Sequence, residues 1–269
     1  PDTALRTAIL IPARYESKRY PGKPLAELTG ANGHAKTLIR RSWERAREVA
    51  GVDHVVVATD DARIAEHCAG FGAEVAMTPS ACANGTERCA AAAAGLDPAP
   101  EVVVNFQGDA LLTPAHVIET LVAAMRANPD VSVATPVVRC DPTMLDAFAE
   151  TRRQGRIGET SAVFDRQGRA LYFSKEILPT RRGDASDRET PVFQHMGIYA
   201  YRTHALTRYG DWPVGPLEAH EGLEQLRFLE NGHRVQCCEV DLRGQPVHEL
   251  NNPEDKPRIE AVLRDLGLD

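Results

Sequence analysis

Short runs of β-branched and small apolar residues alternate with segments of helical pattern along the first 140 residues, and this alternation constrains the fold most. Thr7 to Ile11 reads as a strand, followed by a turn-rich loop from Pro12 to Pro24 and a helix over Lys36 to Val49. His54 to Ala58 carries three consecutive valines, the mark of a parallel strand covered on both faces. Asp61 to Gly70 reads as a helix with Asp60 as N-cap, Ala73 to Met77 as a strand, and Gly85 to Ala94 as an alanine-rich helix. Glu101 to Phe106 is a second buried strand that runs into Gln107-Gly108-Asp109. Pro114 to Ala127 follows as a helix opened by proline, and Val131 to Val138 as a strand. Such repetition predicts a doubly wound, mostly parallel α/β sheet. Ligands of these sheets sit beyond the carboxyl ends of the strands. The loop from Pro12 and the Gln107-Gly108-Asp109 segment both fall there.

The second half is less regular. Ser161 to Phe164 and Arg169 to Phe173 flank a turn and read as a hairpin, while Arg181 to Thr190 is a polar, mobile loop. Met196 to Tyr201 and Arg234 to Val240 read as strands. Pro216 to Asn231 is a helix opened by proline and closed at Gly232, and Pro253 to Leu266 a terminal helix capped by Asn252.

Composition narrows the function. The 269 residues carry 31 basic and 38 acidic side chains, a net charge of −7, which disfavours sequence-independent nucleic-acid binding. A basic pocket inside an acidic surface remains compatible with a small anionic substrate. No apolar stretch approaches the ~20 residues that span a bilayer, and Ala8-Ile9-Leu10-Ile11 is too short for a signal-peptide core. Cys68, Cys82, Cys89, Cys140, Cys237 and Cys238 show no metal-binding spacing and read as reduced thiols of a cytoplasmic protein.

The loop after the first strand is the strongest chemical signal. Arg14, Lys18, Arg19 and Lys23 fall within ten residues, with Gly22 permitting close backbone approach and Pro21 and Pro24 stiffening the chain around Lys23. A solvated basic loop would carry the same residues, but their placement beyond a buried strand favours a polyphosphate, gripped by guanidinium forks and an ammonium charge. The loop is neither a P-loop nor a G-x-G-x-x-G turn. An aspartate at a buried strand's end, Asp109, suits Mg²⁺, which takes carboxylate and phosphate oxygens; a turn-forming role is equally open from pattern alone.

The segment from Ile11 to Leu25 closely resembles the signature of the cytidylyltransferases that activate 3-deoxy-manno-octulosonate (Kdo), the CMP-Kdo synthetases. The likeness continues in Ala58-Thr59-Asp60-Asp61, Asn84-Gly85-Thr86-Glu87-Arg88, Asn105-Phe106-Gln107-Gly108-Asp109 and Ala170-Leu171-Tyr172-Phe173-Ser174. It extends through His195-Met196-Gly197-Ile198-Tyr199, Leu223-Glu224-Gln225-Leu226-Arg227 and Asn252-Pro253-Glu254-Asp255, in family order over nearly the whole chain. The resemblance implies transfer of CMP from CTP to an acidic acceptor with release of pyrophosphate. It implies a catalytic set of Arg14, Lys23 and Asp109, and a nucleotide site built from Pro12, Ala13, Arg14, Lys23, Asn84, Gly85, Thr86, Arg88 and Gln107. It also implies an acceptor site of Lys175, Arg182, His195, Tyr199, Glu224 and Gln225, with Mg²⁺ on Asp109 and Asn251. The expected organisation is a nucleotide-binding core over 1–140, an acceptor-binding and dimerisation subdomain over 141–232, and a return strand and helix over 233–269, assembled as a homodimer.

Several positions depart from the family pattern. Asp109 is followed by Ala110-Leu111 where the family has Glu-Pro, and Lys175 stands where it has arginine. Thr160-Ser161-Ala162-Val163 replaces Val-Lys-Val-Val, an insertion lies near Gly30 to Ala35, and Asn251 stands where the family places a second metal-binding aspartate. The nucleotide half is thus better preserved than the acceptor half. Kdo or a related sugar acid leads as acceptor; a small phosphonate, whose oxygens could approach Mg²⁺ in place of the missing carboxylate, is the alternative. A non-catalytic nucleotide sensor of the same fold is a second alternative. A transferase for another nucleotide shares the layout but carries a glycine-rich first loop, whereas Gly22 is the single glycine between Pro12 and Leu25.

Overall fold

Ala8, Ile9, Leu10 and Ile11 have no exposed surface, as a strand flanked on both edges and covered on both faces requires. The structure is a computed structural model that describes residues 5–17, 19–155, 158–180, 190–246 and 248–269. In chain order the first half holds β1 (Thr7–Ala13), β2 (Glu27–Thr29), β3 (Ala35–Thr37), α1 (Leu38–Ala46), β4 (His54–Thr59) and α2 (Ala62–Gly70). It continues with β5 (Glu74–Met77), α3 (Gly85–Ala93), β6 (Val102–Asn105), α4 (Ala115–Ala127) and β7 (Val133–Arg139). The second half holds α5 (Pro142–Arg153), β8 (Ser161–Phe164), β9 (Ala170–Ser174), β10 (Phe193–His195), β11 (Tyr199–Arg202) and α6 (Thr203–Arg208). The chain ends with α7 (Pro216–Glu221), α8 (Leu226–Glu230), β12 (Val235–Glu239) and α9 (Lys256–Asp265).

Among the described residues ten strands form one sheet in the order β5-β4-β1-β6-β11-β7-β10-β8-β9, with β12 paired to β7. β1 runs parallel to β4 and β6, β5 parallel to β4, and β12 parallel to β7. The remaining pairs are antiparallel. Strand geometry alternates side chains between faces. Ile9 and Ile11 accordingly pack with Trp43 of α1, Ile64 of α2 and Leu121 of α4. Ala8 and Leu10 pack with Cys89 of α3, Leu206 of α6 and Phe228 of α8 on the other face. Cys237 and Cys238 divide the same way between the two layers, and all six cysteines are free thiols. A small separate core joins Leu28, Leu38, Leu111, Leu250 and Ile259, which ties the β2–β3 hairpin and α9 to the loop that follows Asp109.

Local differences from the sequence reading have physical reasons. The helix expected from Lys36 begins at Leu38, because Ala35 to Thr37 pair with Glu27 to Thr29. The cap of α2 is Asp61, not Asp60: its carboxylate accepts from the backbone of Arg63 and Ile64, while Asp60 turns to the guanidinium of Arg88. The expected helix over Pro216 to Asn231 is two helices, broken at Gly222, whose φ of 66° is left-handed. The strand expected over Met196 to Tyr201 begins only at Tyr199. α5 and β10 are additional elements, and the loop expected at Arg181 to Thr190 lies, except for Thr190, outside the described residues.

α7 and α8 are clamped by a buried ion pair. Arg227 Nε and Nη2 donate to Glu218 Oε2 and Oε1 at 2.6 and 2.7 Å, and the guanidinium lies 4.0 Å from the centre of the Tyr209 ring. Removing one partner of such a pair leaves a buried charge uncompensated. Glu218→Ala is expected to lower unfolding free energy by about 3–5 kcal/mol, read from urea denaturation.

Candidate active site

β1 and β6 are neighbours, with Leu10 opposite Asn105, so the chain leaves both strands at one edge of the sheet. Gly22 closes the loop after β1 by donating its N–H to Tyr15 O at 2.8 Å. Its φ is 70°, and a Cβ there would lie 3.1 Å from the Tyr15 ring, so glycine is required twice over. The turn places Lys23 Nζ 2.5 Å from Asp109 Oδ2, with the two side chains only 20% and 16% exposed. On the β6 side, Gly108 approaches β1 so closely that a Cβ would meet Pro12 O at 3.0 Å, and Ser42 Oγ donates to Gly108 O at 2.8 Å. Asp109 is thereby fixed against the end of β1. Arg14 is exposed, with no hydrogen-bond or ion-pair partner among the described residues. Arg19 Nη2 donates to Asn251 Oδ1 at 3.4 Å; Lys18 lies outside the described residues.

The residues expected to hold the nucleotide fall into two groups. Gly85 faces Pro12 and Gln107, each about 3.5 Å from where a Cβ would stand. Ala13 is buried at the end of β1. Asn84 caps α3 by accepting from Glu87 N at 2.9 Å. Gln107 Nε2 donates to Asn105 Oδ1 at 3.4 Å, while the buried Asn105 Nδ2 has no partner among the described residues. Thr86 and Arg88, by contrast, are buried and already bonded. Arg88 donates to Thr78 Oγ1 at 2.6 Å and Asp60 Oδ2 at 3.3 Å. Thr86 Oγ1 donates to Glu224 Oε2 at 2.5 Å and lies 3.2 Å from Tyr201 OH. Burial pushes the Glu224 carboxyl up, against the pull of the Thr86 hydrogen bond.

An open cleft of about 1360 Å³ adjoins this edge, lined among others by Arg19, Gln107, Lys175, His195, Tyr199, Glu249 and Asn251. Lys175 Nζ donates to Thr160 Oγ1 at 2.9 Å and Gly158 O at 3.0 Å, and burial lowers its pKa. His195 bonds through Nε2 to Thr135 Oγ1 at 2.8 Å. Tyr199 OH donates to Gln225 Oε1 at 3.0 Å, and the buried Gln225 Nε2 has no partner among the described residues. Lys175, His195 and Tyr199 thus line the cleft, while Gln225 is buried behind Tyr199 and Glu224 is taken up by Thr86; Arg182 lies outside the described residues.

Two residues here were not read from sequence. Glu249 reaches into the cleft, and Asn251 Nδ2 donates to its Oε2 at 3.4 Å. Crowding by the cleft walls raises its pKa most and the Asp109 charge next, offset in part by Asn251, Lys23 and Lys175. Glu221, at the end of α7, accepts from Lys175 N and Ser174 Oγ at 2.7 Å each and from Tyr172 OH at 3.1 Å. The signal for Glu249 was its spacing of two from Asn251, which puts side chains on one side of an extended segment. Among the described residues no cluster of three or more His, Cys, Asp or Glu could by itself hold a metal ion. No helix among them is long and apolar enough to cross a membrane.

The family whose model matches residues 8–235 is Cytidylyltransferase. The 3-deoxy-manno-octulosonate cytidylyltransferase of Zea mays is 40% identical over 263 residues, covering 98% of this chain and 83% of its own. That of Maricaulis maris (strain MCS10) is 40% identical over 258 residues, covering 96% and 97%. Among solved structures, CMP:2-keto-3-deoxy-manno-octonic acid synthetase complexed with CTP superposes with a TM-score of 0.84 at 32% identity, covering 97% of this chain and 99% of that one. The chain therefore belongs to the cytidylyltransferase family. It is a nucleotidyltransferase enzyme on the α/β fold that the strand–helix alternation predicts.

His195 gives the site a pH signature. Burial, and secondarily the charge of Lys175, lowers its pKa from 6.5 to about 3. The unfolded chain therefore binds a proton between those values that the folded one refuses, and stability falls as pH drops through that window. His195→Gln is expected to lose less stability than the parent chain between pH 6.5 and pH 4, measured as the shift in urea midpoint.

Proposed function

We propose that this chain transfers CMP from CTP to 3-deoxy-manno-octulosonate and releases pyrophosphate. An acceptor oxygen attacks the α-phosphorus, the bond from that phosphorus to the bridging oxygen breaks, and pyrophosphate departs in line. The carrying observation is the convergence of Lys23 and Asp109 at the paired ends of β1 and β6, beside a cleft that presents Lys175, His195 and Tyr199. Arg14, exposed at the mouth of β1, and Lys23 hold the triphosphate; cations so placed stabilise charge growing on the leaving group. Gly85, Pro12 and Gln107, gathered at the ends of β1 and β6, are the contacts for the cytidine, with Asn84 fixing the start of α3 beside them. Lys175, which lines the cleft, attracts the acceptor's carboxylate.

The donor set fits Mg²⁺. Asp109, Glu249 and the Asn251 carboxamide supply only oxygen ligands, and two carboxylates with phosphate oxygens and water are what this ion takes. Asp109, Glu249 and Asn251 would hold it. When bound, the ion neutralises phosphate charge and polarises the phosphoryl group. Glu249 also answers the loss of the family aspartate at Asn251: a second carboxylate stands near Asp109 after all. That weakens the reason for preferring a phosphonate acceptor, and a sugar acid remains the better fit.

The free thiols suit a reducing, cytoplasmic setting. A homodimer is supported by Leu171 on the edge strand β9, and by Val214 and Leu217 at α7, which are exposed at 63%, 57% and 41%. Light scattering at micromolar concentration should return twice the chain mass; a monomer would remove the dimer.

Pyrophosphate release with CTP and Mg²⁺ is expected with Kdo and to be slower with small phosphonates; no turnover of Kdo at millimolar levels would reject the acceptor. Lys23→Met should lower kcat by about 10²–10³.

A further inference from the structure

β10 and β11 lie along one edge of β7 but out of step with each other. His195 is opposite Val137 and Ala200 is opposite Ala134, so three steps on β7 face five on the other side. The two extra residues form a bulge, a device that re-aims side chains beside functional sites. The bulge runs from His195 to Tyr199, and Thr135 on β7 sits beneath it. Thr135 Oγ1 lies 2.8 Å from Ile198 O, 3.3 Å from Met196 O and 2.8 Å from His195 Nε2, with no exposed surface on Thr135. Pro136, the next residue, has no N–H to offer these carbonyls.

A hydroxyl carries one proton. Were it given to His195, the Thr135 oxygen would face the Ile198 oxygen at 2.8 Å with nothing between two acceptors. The proton therefore goes to a carbonyl, and Thr135 must accept from His195 Nε2–H. The ring stays neutral at working pH, held so by burial and by the charge of Lys175. A neutral imidazole protonated on Nε2 has a lone pair on Nδ1. Nδ1 has no partner among the described residues, and His195 lines the cleft. Phe173 and Tyr199 fix the ring plane, with centroids 5.1 and 5.5 Å from that of His195.

We propose that Thr135 is a positioning residue that locks His195 as a hydrogen-bond acceptor toward the cleft, and so makes the acceptor pocket select a ligand hydroxyl at that point. This rests on the acceptor reading above and deepens it. An ionised phosphonate oxygen or a carboxylate brings no proton to Nδ1 and meets a lone pair. A polyhydroxylated sugar acid brings a donor. Sites built to bond a substrate hydroxyl discriminate strongly against analogues without it, because the site's own polar atom is then left unpaired.

The lock is tested on the free protein by nitrogen NMR of the histidine-labelled full chain, with His195→Gln assigning the signal. The expected spectrum shows His195 protonated on Nε2 and bare on Nδ1 in the parent and in Thr135→Ser, and a mixed or reversed tautomer in Thr135→Val. A parent ring protonated on Nδ1 overturns the proposal, whichever acceptor is used. Should Thr135→Val fail to fold, the parent and Thr135→Ser spectra decide alone. In kinetics, Thr135→Val should raise the KM for Kdo about tenfold while the KM for CTP stays unchanged. One monodeoxy analogue of Kdo should lose about as much against the parent and nothing further against Thr135→Val. Equal losses in both proteins, or none, would overturn the selection for a hydroxyl. If Kdo is not turned over, the acceptor reading fails by itself, and the tautomer still decides the lock.

Discussion

A strand that gives neither face nor either edge to water can meet a ligand only at its end. β1 is such a strand, and its pairing with β6 sets where the chemistry gathers. The two segments emerge side by side; Gly108 leaves no room for a Cβ against Pro12 O, and the turn at Gly22 folds Lys23 back onto Asp109. A cation and a carboxylate separated by 86 residues in sequence become a pair because the backbone around both is unable to go elsewhere.

The two halves of the site are joined as tightly as either is built. Thr86, at the start of α3, donates to Glu224, and Arg227 lies 3.8 Å from Glu87 while holding Glu218. These contacts cross from the nucleotide side to the acceptor side through buried groups. Glu221 adds a second tie, receiving Tyr172 and Ser174 from β9 and the backbone of Lys175 that follows it, just before Gly222 turns the chain toward Glu224 and Gln225. The same strands share one sheet, so residues beyond 140 extend the first sheet instead of beginning a new one.

Much of this was legible in the chain itself. Valine-rich runs marked β4 and β6 because a strand covered on both faces has no use for alternation, and the cation-bearing loop stood out by its position at a strand end. What stayed hidden depended on distant partners. β2 and β3 are three residues each and have no pattern of their own; they exist because each supplies the other's hydrogen bonds. Asp60 and Asp61 are indistinguishable as caps until Arg88 claims the first. The long helix after Pro216 looked continuous because one glycine inside a helical pattern is usually tolerated, whereas Gly222 here adopts a conformation that ends it. Glu249 lies in a segment without periodicity, where its spacing from Asn251 is a faint signal until the fold brings it toward Asp109.

The ledge formed where β10 hands over to β11 has a mechanical side as well. Both strands are stitched to β7, and β12 is stitched along its opposite margin. The wall bearing His195 and Tyr199 therefore inherits the stiffness of the whole sheet and behaves as a fixed jaw. The exposed Arg14 and Arg19, by contrast, stand on the loop after β1, outside the sheet ladder.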